Sequence, residues 1–231
     1  KSDVREQTLN LISDEYNIGQ LLKFKTGGST GKSLALYISE DCSEIRNACA
    51  RRHDMWSGWN PGEPIGAVWG NVDAKIDLKN RLKAWCLYPT ITLDTMGIDN
   101  TTVLKFARKW SKVKPRLLFG HAHSLFILAE YVRKLKINQI RPKGILSTSM
   151  MLLPHERTLV ERVFGVKVTD RYGCEEVGLI GSECECHEGF HLNIEHLYIE
   201  FIKANGTPAT NGEAGKIIVT DLMNRAMPFI R

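Results

Sequence analysis

The sequence contains no apolar run near the roughly 18 residues that a membrane-spanning helix needs, and no signal peptide opens it. Internal repeats and low-complexity tracts are also missing, which argues against a solenoid or a linker protein. Six cysteines occur without the regular spacing of a small disulfide-rich secreted domain. We therefore expect a cytoplasmic protein that does not span a membrane.

No block of like charge stands out, although the formal net charge is +5 and the pI is about 8.9. Two basic clusters, Arg108–Arg116 and Arg133–Lys136, are interleaved with apolar residues at helical spacing, which is typical of solvated helix faces. We expect no nucleic-acid partner. A modest positive field also suits a small anionic ligand. With 231 residues and 43% hydrophobic residues, the chain is long enough to bury a core.

The order of elements predicts an α/β fold. Short apolar strands alternate with helices predicted over 101–112 and 124–136, after a first helix that starts near Asp41, where Glu44 completes a capping-box spacing. Repeated strand–helix alternation indicates a mostly parallel sheet flanked by helices. Near the end, two alternating segments separated by turn residues predict a β-hairpin. We expect an α/β core over residues 1–180 and a β-rich part over 181–231.

The segment "TGGSTGKS", Thr26–Ser33, allows two interpretations. A phosphate-binding P-loop has a glycine five positions before the Gly31-Lys32 pair and a helix that starts at the lysine. This chain has Thr26 at that glycine position, and an alternating apolar segment, Ser33–Ser39, follows the lysine. The pattern therefore favours a loop between two strands, whose amides and hydroxyls hold a polyphosphate. A P-loop NTPase stays an alternative.

A second candidate site is the segment "CECHEGFH". Its cysteines and histidines match the ligand chemistry of zinc, but their spacing is not that of a standard C-x-x-C knuckle. Bound zinc and reduced surface thiols are both open. The four candidate ligands are Cys184, Cys186, His187 and His191.

Four segments together resemble the adenylate-forming superfamily, in the branch of phenylacetate–CoA ligases and CapK-type capsular polysaccharide biosynthesis proteins. Thr26–Ser33 resembles its phosphate loop, and Asp170–Cys184 resembles its Tyr-Gly-x-[TS]-Glu motif. Gly120–Val132 and the segment 212–231 are similar to two further segments of this branch, in the same order. The resemblance implies the large N-terminal domain of an adenylate-forming enzyme.

The resemblance also implies a reaction and its ligands. A carboxylic acid would react with ATP and Mg²⁺ to give an acyl-adenylate, and coenzyme A is one acceptor among those left open. Lys32 and Glu176 are the expected catalytic residues, and Glu176 would help to hold magnesium. His121 and His123 would gate the acid pocket or belong to a helix cap. The remaining expected nucleotide-binding residues are Thr26, Gly28, Ser29, Thr30, Gly31, Ser149, Tyr172, Gly173 and Glu175.

The sequence departs from the family pattern at two positions of the nucleotide motif. Glu175 stands where relatives have Thr or Ser against the α-phosphate, and Met150 stands where they tend to have a glutamate. Family members also continue past the last residue here with an aspartate that grips the ribose and a small domain with a catalytic lysine. We therefore expect a fold incomplete at both ends and weak or no turnover. A non-catalytic nucleotide- or zinc-binding scaffold is an alternative, and a homodimer is left open.

Overall fold

A computed structural model describes residues 2–26, 34–70 and 89–229 of the chain. Its contacts divide the chain into two compact units that are each discontinuous in sequence. The first unit comprises Lys1–Ala50, Gly173–Gly181 and Leu192–Arg231, and the second comprises Arg51–Tyr172 and Ser182–His191. The division near residue 180 that the sequence suggests therefore stays a prediction.

Helices and strands alternate through most of the described chain. The helices are α1 (Ser2–Glu6), α2 (Glu40–Trp56), α3 (Asn100–Val113), α4 (Ala122–Lys134) and α5 (Pro154–Phe164). The strands are β1 (Leu22–Lys25), β2 (Ala35–Ile38), β3 (Ile65–Trp69), β4 (Thr90–Asp94), β5 (Leu117–His121), β6 (Gly144–Thr148), β7 (Val168–Cys174), β8 (Gly178–Ser182), β9 (His191–Leu192), β10 (Leu197–Ile202) and β11 (Lys216–Asp221). Short 3-10 helices cover Ile18–Gln20 and Thr95–Gly97. None of the described helices is long and apolar enough to cross a membrane.

The second unit is built on a parallel sheet. Its strands follow the order β4-β3-β5-β6-β7, and each of these neighbouring pairs is parallel. This confirms the α/β fold with a mostly parallel sheet flanked by helices. The edge strand β4 was not among the predicted strands, because its sequence TITLD is short and carries polar residues at alternate positions. Such a pattern fits an exposed edge as well as a loop.

The two faces of this sheet bury different residues. Side chains alternate between faces along a strand, so Val68, Leu118, Ile145 and Val168 share one face. They pack against α3, α4 and α5 in one large cluster of buried residues that also contains Phe106. On the opposite face, a smaller cluster joins residues of β3, β5 and β6 to Trp59. The helices therefore cover one face densely and leave the other with a smaller apolar patch.

Local signals explain where the helices begin and end. Asp99 caps α3 by accepting a hydrogen bond from the Thr102 amide at 2.7 Å, and α5 begins at Pro154, a residue suited to a first helical turn. Gly165 ends α5 with φ 70°, a left-handed conformation that glycine adopts easily. The predicted capping role of Asp41 is wrong, because α2 already starts at Glu40 and Ser39 Oγ accepts from the Cys42 amide at 3.3 Å.

The first unit contains two antiparallel hairpins. β1 pairs with β2 from Leu22 opposite Ile38 to Lys25 opposite Ala35, and β10 pairs with β11. The first pairing confirms that a strand lies on each side of the glycine-rich segment, and α2 begins only after β2. The second confirms the predicted hairpin near the end of the sequence. Val177, Ile180 and Leu197 form a buried apolar cluster in this unit.

A glycine substitution tests the packing of the sheet against α3. A Cβ atom on Gly66 would clash with the ring of Trp110, whereas a Cβ on Gly97 would meet no atom within 4 Å. We expect Gly66→Ala to lower the free energy of unfolding by about 2 kcal/mol through overpacking. The matched variant Gly97→Ala should change it by less than about 0.5 kcal/mol. Urea denaturation measures both values, and equal losses would show that β3 does not pack on Trp110 as described.

Candidate functional site

The carboxyl ends of the parallel strands bring several planar and polar side chains together. His121 at the end of β5 is in register with Thr148 at the end of β6. Trp69 ends β3, and Arg171 lies on β7 one residue beyond the pairing of Ser147 with Asp170. Strand alternation places these four residues on the same face of the sheet. Ligands of open parallel sheets bind outside the carboxyl ends of the strands, so this row is the candidate site.

Aromatic stacking fixes one half of the row. The rings of Trp69 and Phe119 are parallel to within 9° with their centroids 5.3 Å apart. His121 lies on Trp69 with a centroid distance of 3.8 Å, and the Arg171 guanidinium lies over Phe119 at 5.3 Å. Burial lowers the pKa of His121, so the imidazole is neutral near pH 7. The result is a flat, largely apolar wall with one neutral polar group.

A buried ion pair supports the other half. Arg171 Nη1 donates to Asp54 Oδ1 at 3.0 Å, and the two side chains are only 10% and 20% exposed. Burial raises the pKa of the Asp54 carboxyl more than the neighbouring arginine lowers it. Removing one partner of such a pair lowers stability strongly, because the remaining charge stays buried. Arg171 is therefore held between the carboxylate and the Phe119 ring.

Asp170 and Tyr172 face the opposite side of β7, because both alternate with Arg171 along the strand. Tyr172 is 48% exposed, so its ring is available to a ligand. Burial raises the pKa of the Asp170 carboxyl. Sequence reasoning missed Asp170. The signal that could have found it is a carboxylate two residues before the motif tyrosine, on the same strand face.

The turn after Tyr172 depends on glycine at two positions. A Cβ atom on Gly173 would lie 2.6 Å from the carbonyl oxygen of Gly178 and 2.9 Å from Leu179 Cα. Gly178 itself has φ 75°, in the left-handed region. Gly173, a predicted nucleotide-binding residue, therefore allows β7 and β8 to approach closely. Glu175 and Glu176 lie in the turn between these strands.

The two histidines predicted to gate a pocket have different surroundings. His121 belongs to the stack on Trp69, whereas His123 Nδ1 is joined to Glu156 Oε1 on α5 by a 2.8 Å hydrogen bond. The Glu156 side chain is 4% exposed and also accepts from the Leu153 amide, which caps α5. His123 therefore links α4 to α5 through this buried carboxylate. Whether His123 also lines a pocket stays a prediction.

Comparison with known proteins identifies what this arrangement resembles. No model of a known protein family matches the chain. The chain is 37% identical over 79 residues to phenylacetate-coenzyme A ligase of Escherichia coli K12, a match that covers 32% of the chain and 18% of that protein. It is 23% identical over 181 residues to the protein CapK of Staphylococcus aureus, covering 76% of the chain and 39% of CapK.

Solved structures agree with these relatives. An open conformation of 2-hydroxyisobutyryl-CoA ligase, solved with 2-HIB-AMP and CoA, matches the whole chain with a TM-score of 0.77 at 19% identity. The resemblance to adenylate-forming enzymes of the phenylacetate–CoA ligase type is confirmed. ATP-bound MatB from Rhodopseudomonas palustris matches 92% of the chain with a TM-score of 0.61 at 15% identity. The chain spans 56% of the CoA ligase and 42% of MatB, so it matches about half of these enzymes.

The glycine loop expected of an adenylate-forming enzyme lies only partly within the described residues. Thr26 closes its base, since the Thr26 amide donates to the Leu34 carbonyl at 3.0 Å and Thr26 Oγ1 accepts from the Leu34 amide at 2.9 Å. These bonds extend the pairing of β1 with β2 to Thr26 and Leu34. The other predicted loop residues lie outside the described residues: Gly28, Ser29, Thr30, Gly31 and Lys32.

The predicted zinc loop is described in full, and its four candidate ligands do not converge. Within the described parts of the chain, no group of three or more His, Cys, Asp or Glu side chains is placed to hold a metal ion. The Cys186 amide points to Cys184 Sγ at 3.5 Å, and His187 pairs with Glu183 at 3.3 Å. His191 packs on Trp56 with ring centroids 5.3 Å apart. The arrangement therefore gives no support to zinc binding by the four residues together.

The buried pair of Asp54 and Arg171 can be tested against an exposed pair of the same chemistry. Glu130 and Arg133 form such a pair on α4 with side chains 41% and 59% exposed. We expect Asp54→Ala to lower the free energy of unfolding by about 3 kcal/mol, because Arg171 would stay buried without its carboxylate. Glu130→Ala should cost about 0.5 kcal/mol or less. Thermal and urea unfolding measure both, and a loss for Asp54→Ala as small as that for Glu130→Ala would contradict the description.

Proposed function

We propose that this chain provides the nucleotide- and acid-binding part of an ATP-dependent, AMP-forming carboxylate ligase. The observation that carries the proposal is the alignment of the whole chain with a CoA ligase solved together with an acyl-AMP. The strand–loop–strand hairpin and the Tyr172–Glu176 turn support it, since both motifs of the resemblance occur in the expected elements.

The proposed reaction has two steps. A carboxylate oxygen of the acid attacks the α-phosphorus of ATP, the bond to the pyrophosphate oxygen breaks, and an acyl-adenylate and pyrophosphate result. The thiol of an acceptor such as coenzyme A then loses its proton to solvent, its sulfur attacks the acyl carbon, and AMP leaves with the electron pair of the broken C–O bond. The protein's contribution to such steps is mainly positioning of the reactants and stabilisation of developing negative charge. Coenzyme A as the acceptor belongs to the proposal.

The nucleotide would be held by the motif residues around the end of β7. The exposed Tyr172 ring offers a surface for the adenine, and the Asp170 carboxylate on the same strand face is an acceptor for a purine amino group. Glu176 supplies one carboxylate for Mg²⁺, and this fits the ion because magnesium in nucleotide sites takes one or two carboxylates plus phosphate oxygens. Ser149, with φ 66°, follows β6 and is the expected contact at the adenine edge.

The acid would lie against the row at the carboxyl ends of β3, β5 and β6. Trp69 and Phe119 form its flat wall, and the neutral His121 offers one hydrogen bond. A planar acyl group, such as that of an aryl acid, stacks on this wall with more contact area than a linear aliphatic chain. We therefore infer that planar acids are preferred. A role in capsular polysaccharide synthesis is one setting for such a reaction and rests only on the likeness to CapK.

A non-catalytic nucleotide-binding scaffold is the second candidate function. Glu175 favours it, because a carboxylate at this position of the turn repels the α-phosphate that relatives contact with Thr or Ser. A P-loop NTPase is not favoured, because residues 35–38 form a strand antiparallel to β1 and α2 begins at Glu40. A P-loop needs a helix N-terminus at its lysine.

Product analysis tests the reaction class. With ATP, Mg²⁺, coenzyme A and a panel of aryl and aliphatic acids, we expect acid-dependent release of AMP and pyrophosphate, measured by ion-exchange chromatography. Lys32→Ala should raise the KM for ATP about tenfold or more, since it removes a charge from the phosphate loop. Lys25→Ala, on β1 just before the loop, is the matched control and should leave this KM nearly unchanged. Release of ADP would exclude the adenylating reaction, whereas ATP binding without turnover would favour the scaffold.

The acid preference is tested at the aromatic wall. Trp69→Ala removes the ring that stacks on Phe119 and His121, so we expect kcat/KM to fall about tenfold more for aryl acids than for aliphatic acids. Leu104→Ala, a 40% exposed residue of α3, is the control and should affect both classes equally. Steady-state kinetics with the two acid classes decides the matter. An equal loss for both classes in Trp69→Ala would show that this wall does not select the acid.

A further inference from the structure

Arg46 connects three parts of the first unit through its guanidinium. It lies on α2, and its Nη1 and Nη2 atoms donate to the carbonyl oxygens of Glu175 at 3.3 Å and Glu176 at 2.9 Å. Nη2 also donates to Asp221 Oδ2, at the end of β11, at 2.8 Å. Arg46 is 129 and 175 residues away from Glu175 and Asp221 in sequence. No sequence motif indicates this contact.

Asp221 is fully enclosed and has its acceptors occupied. Its side chain is 0% exposed, and that of Arg46 is 13% exposed. Asp221 Oδ1 accepts from the amides of Met223 at 3.0 Å and Asn224 at 3.1 Å, while Oδ2 accepts from Arg46. A buried carboxylate with this many donors has a fixed position. Asp221 therefore anchors the arginine, and the arginine is free to direct its remaining donors to the turn.

The turn is shaped to receive the arginine. A Cβ atom on Gly178 would lie 3.0 Å from Arg46 Cδ and 3.1 Å from Cγ, so glycine at this position leaves the passage for the side chain. One turn earlier on α2, burial raises the pKa of the Cys42 thiol, which is therefore neutral beside the ion pair. The arginine thus reaches the turn by passing against Gly178.

Fixing the two carbonyl groups also fixes two amide groups. The C=O and N–H of a trans peptide point in opposite directions, so the carbonyls of Glu175 and Glu176 determine where the amides of Glu176 and Val177 point. Arg46 therefore restrains both peptide units of the turn through their carbonyl groups.

We propose that Arg46 is a positioning residue of the nucleotide site: it holds the Glu175–Glu176 turn in the conformation that presents Glu176 to the magnesium–nucleotide complex. This inference rests on the proposed function, in which Glu176 acts on that complex. Arg46 is distinct from the residues that contact the nucleotide, because its donors are directed to the turn carbonyls and to Asp221.

Two variants separate this role from a general loss of stability. Asp221→Asn keeps a side-chain oxygen that accepts from Arg46 Nη2, so the Arg46 donors stay on the turn, but it lowers stability because the arginine stays buried without its counter-charge. Arg46→Met combined with Asp221→Asn removes the clamp without leaving a buried charge. We expect AMP and Mg·ATP to bind Asp221→Asn within about threefold of the wild type, and the double variant about tenfold or more weakly, as loss of one charge-assisted hydrogen bond implies. Calorimetric titration measures affinity, and urea denaturation measures the stability of each variant.

Amide hydrogen exchange gives a readout that a purely structural role would not produce. Exchange at Glu176 and Val177 should accelerate in the double variant and stay near the wild-type rate in Asp221→Asn. Arg46→Lys keeps a cation beside Asp221 but offers no planar fork to two carbonyls, so its nucleotide affinity should fall about threefold or more. If Arg46→Lys is the only variant that folds, a nucleotide affinity equal to that of the wild type would overturn the proposal.

The outcomes distinguish this inference from the proposed function. Nucleotide binding by the wild type with equal affinity in the double variant would overturn the role of Arg46 and leave the proposed function intact. Failure of the wild type to bind either AMP or Mg·ATP would overturn the proposed function and this inference with it. The inference would be supported if the double variant binds nucleotide more weakly, is as stable as Asp221→Asn, and shows faster amide exchange only in the turn.

Discussion

The alternation of side chains along β5, β6 and β7 is the constraint on which the second unit depends. One set of positions, including Leu118 and Ile145, meets the helices and forms the large core. The alternate set continues to the carboxyl ends of the strands, where it becomes His121 and Thr148. Because the two sets are tied to the same backbone, a shift of register by one residue would exchange core and site. The packing of the helices therefore also fixes the position of the aromatic wall.

Arginine–carboxylate pairs are the second organising feature, and each lies within one unit. The pairs are Arg46–Asp221, Arg171–Asp54 and Arg157–Glu183, and in each the carboxylate is at most 20% exposed. Each arginine also makes a second contact: it donates to a backbone carbonyl or lies over an aromatic ring. Buried pairs of this kind add little net stability compared with apolar residues of equal volume. Their effect is to define one geometry for segments that carry the motifs.

Local patterns were enough to predict the four longer helices, the strand–loop–strand hairpin and the final β-hairpin, because each depends on neighbours close in sequence. Tyr172, Gly173 and Glu176 were named by the family resemblance of one contiguous segment, and their roles stay predictions. The clamp by Arg46 and the buried Asp54 were not predictable, since their partners are more than 100 residues away. The zinc hypothesis shows that closeness in sequence does not ensure a shared site. Ligand-type residues were close in sequence, but Glu183 and Trp56 contact two of them instead.

The close approach of Gly178 to Arg46 has a consequence for the evolution of this fold. The two positions constrain one another: a side chain at 178 would displace the aliphatic part of Arg46, while the clamp needs the long side chain at 46. A side chain at 178 should therefore be accepted among relatives of this chain only where the arginine at 46 has been replaced. The coupling is asymmetric, because φ 75° continues to favour glycine at 178 even where a shorter residue replaces the arginine. Position 46 can therefore be substituted first, and position 178 can be substituted only where the backbone conformation of the turn also changes.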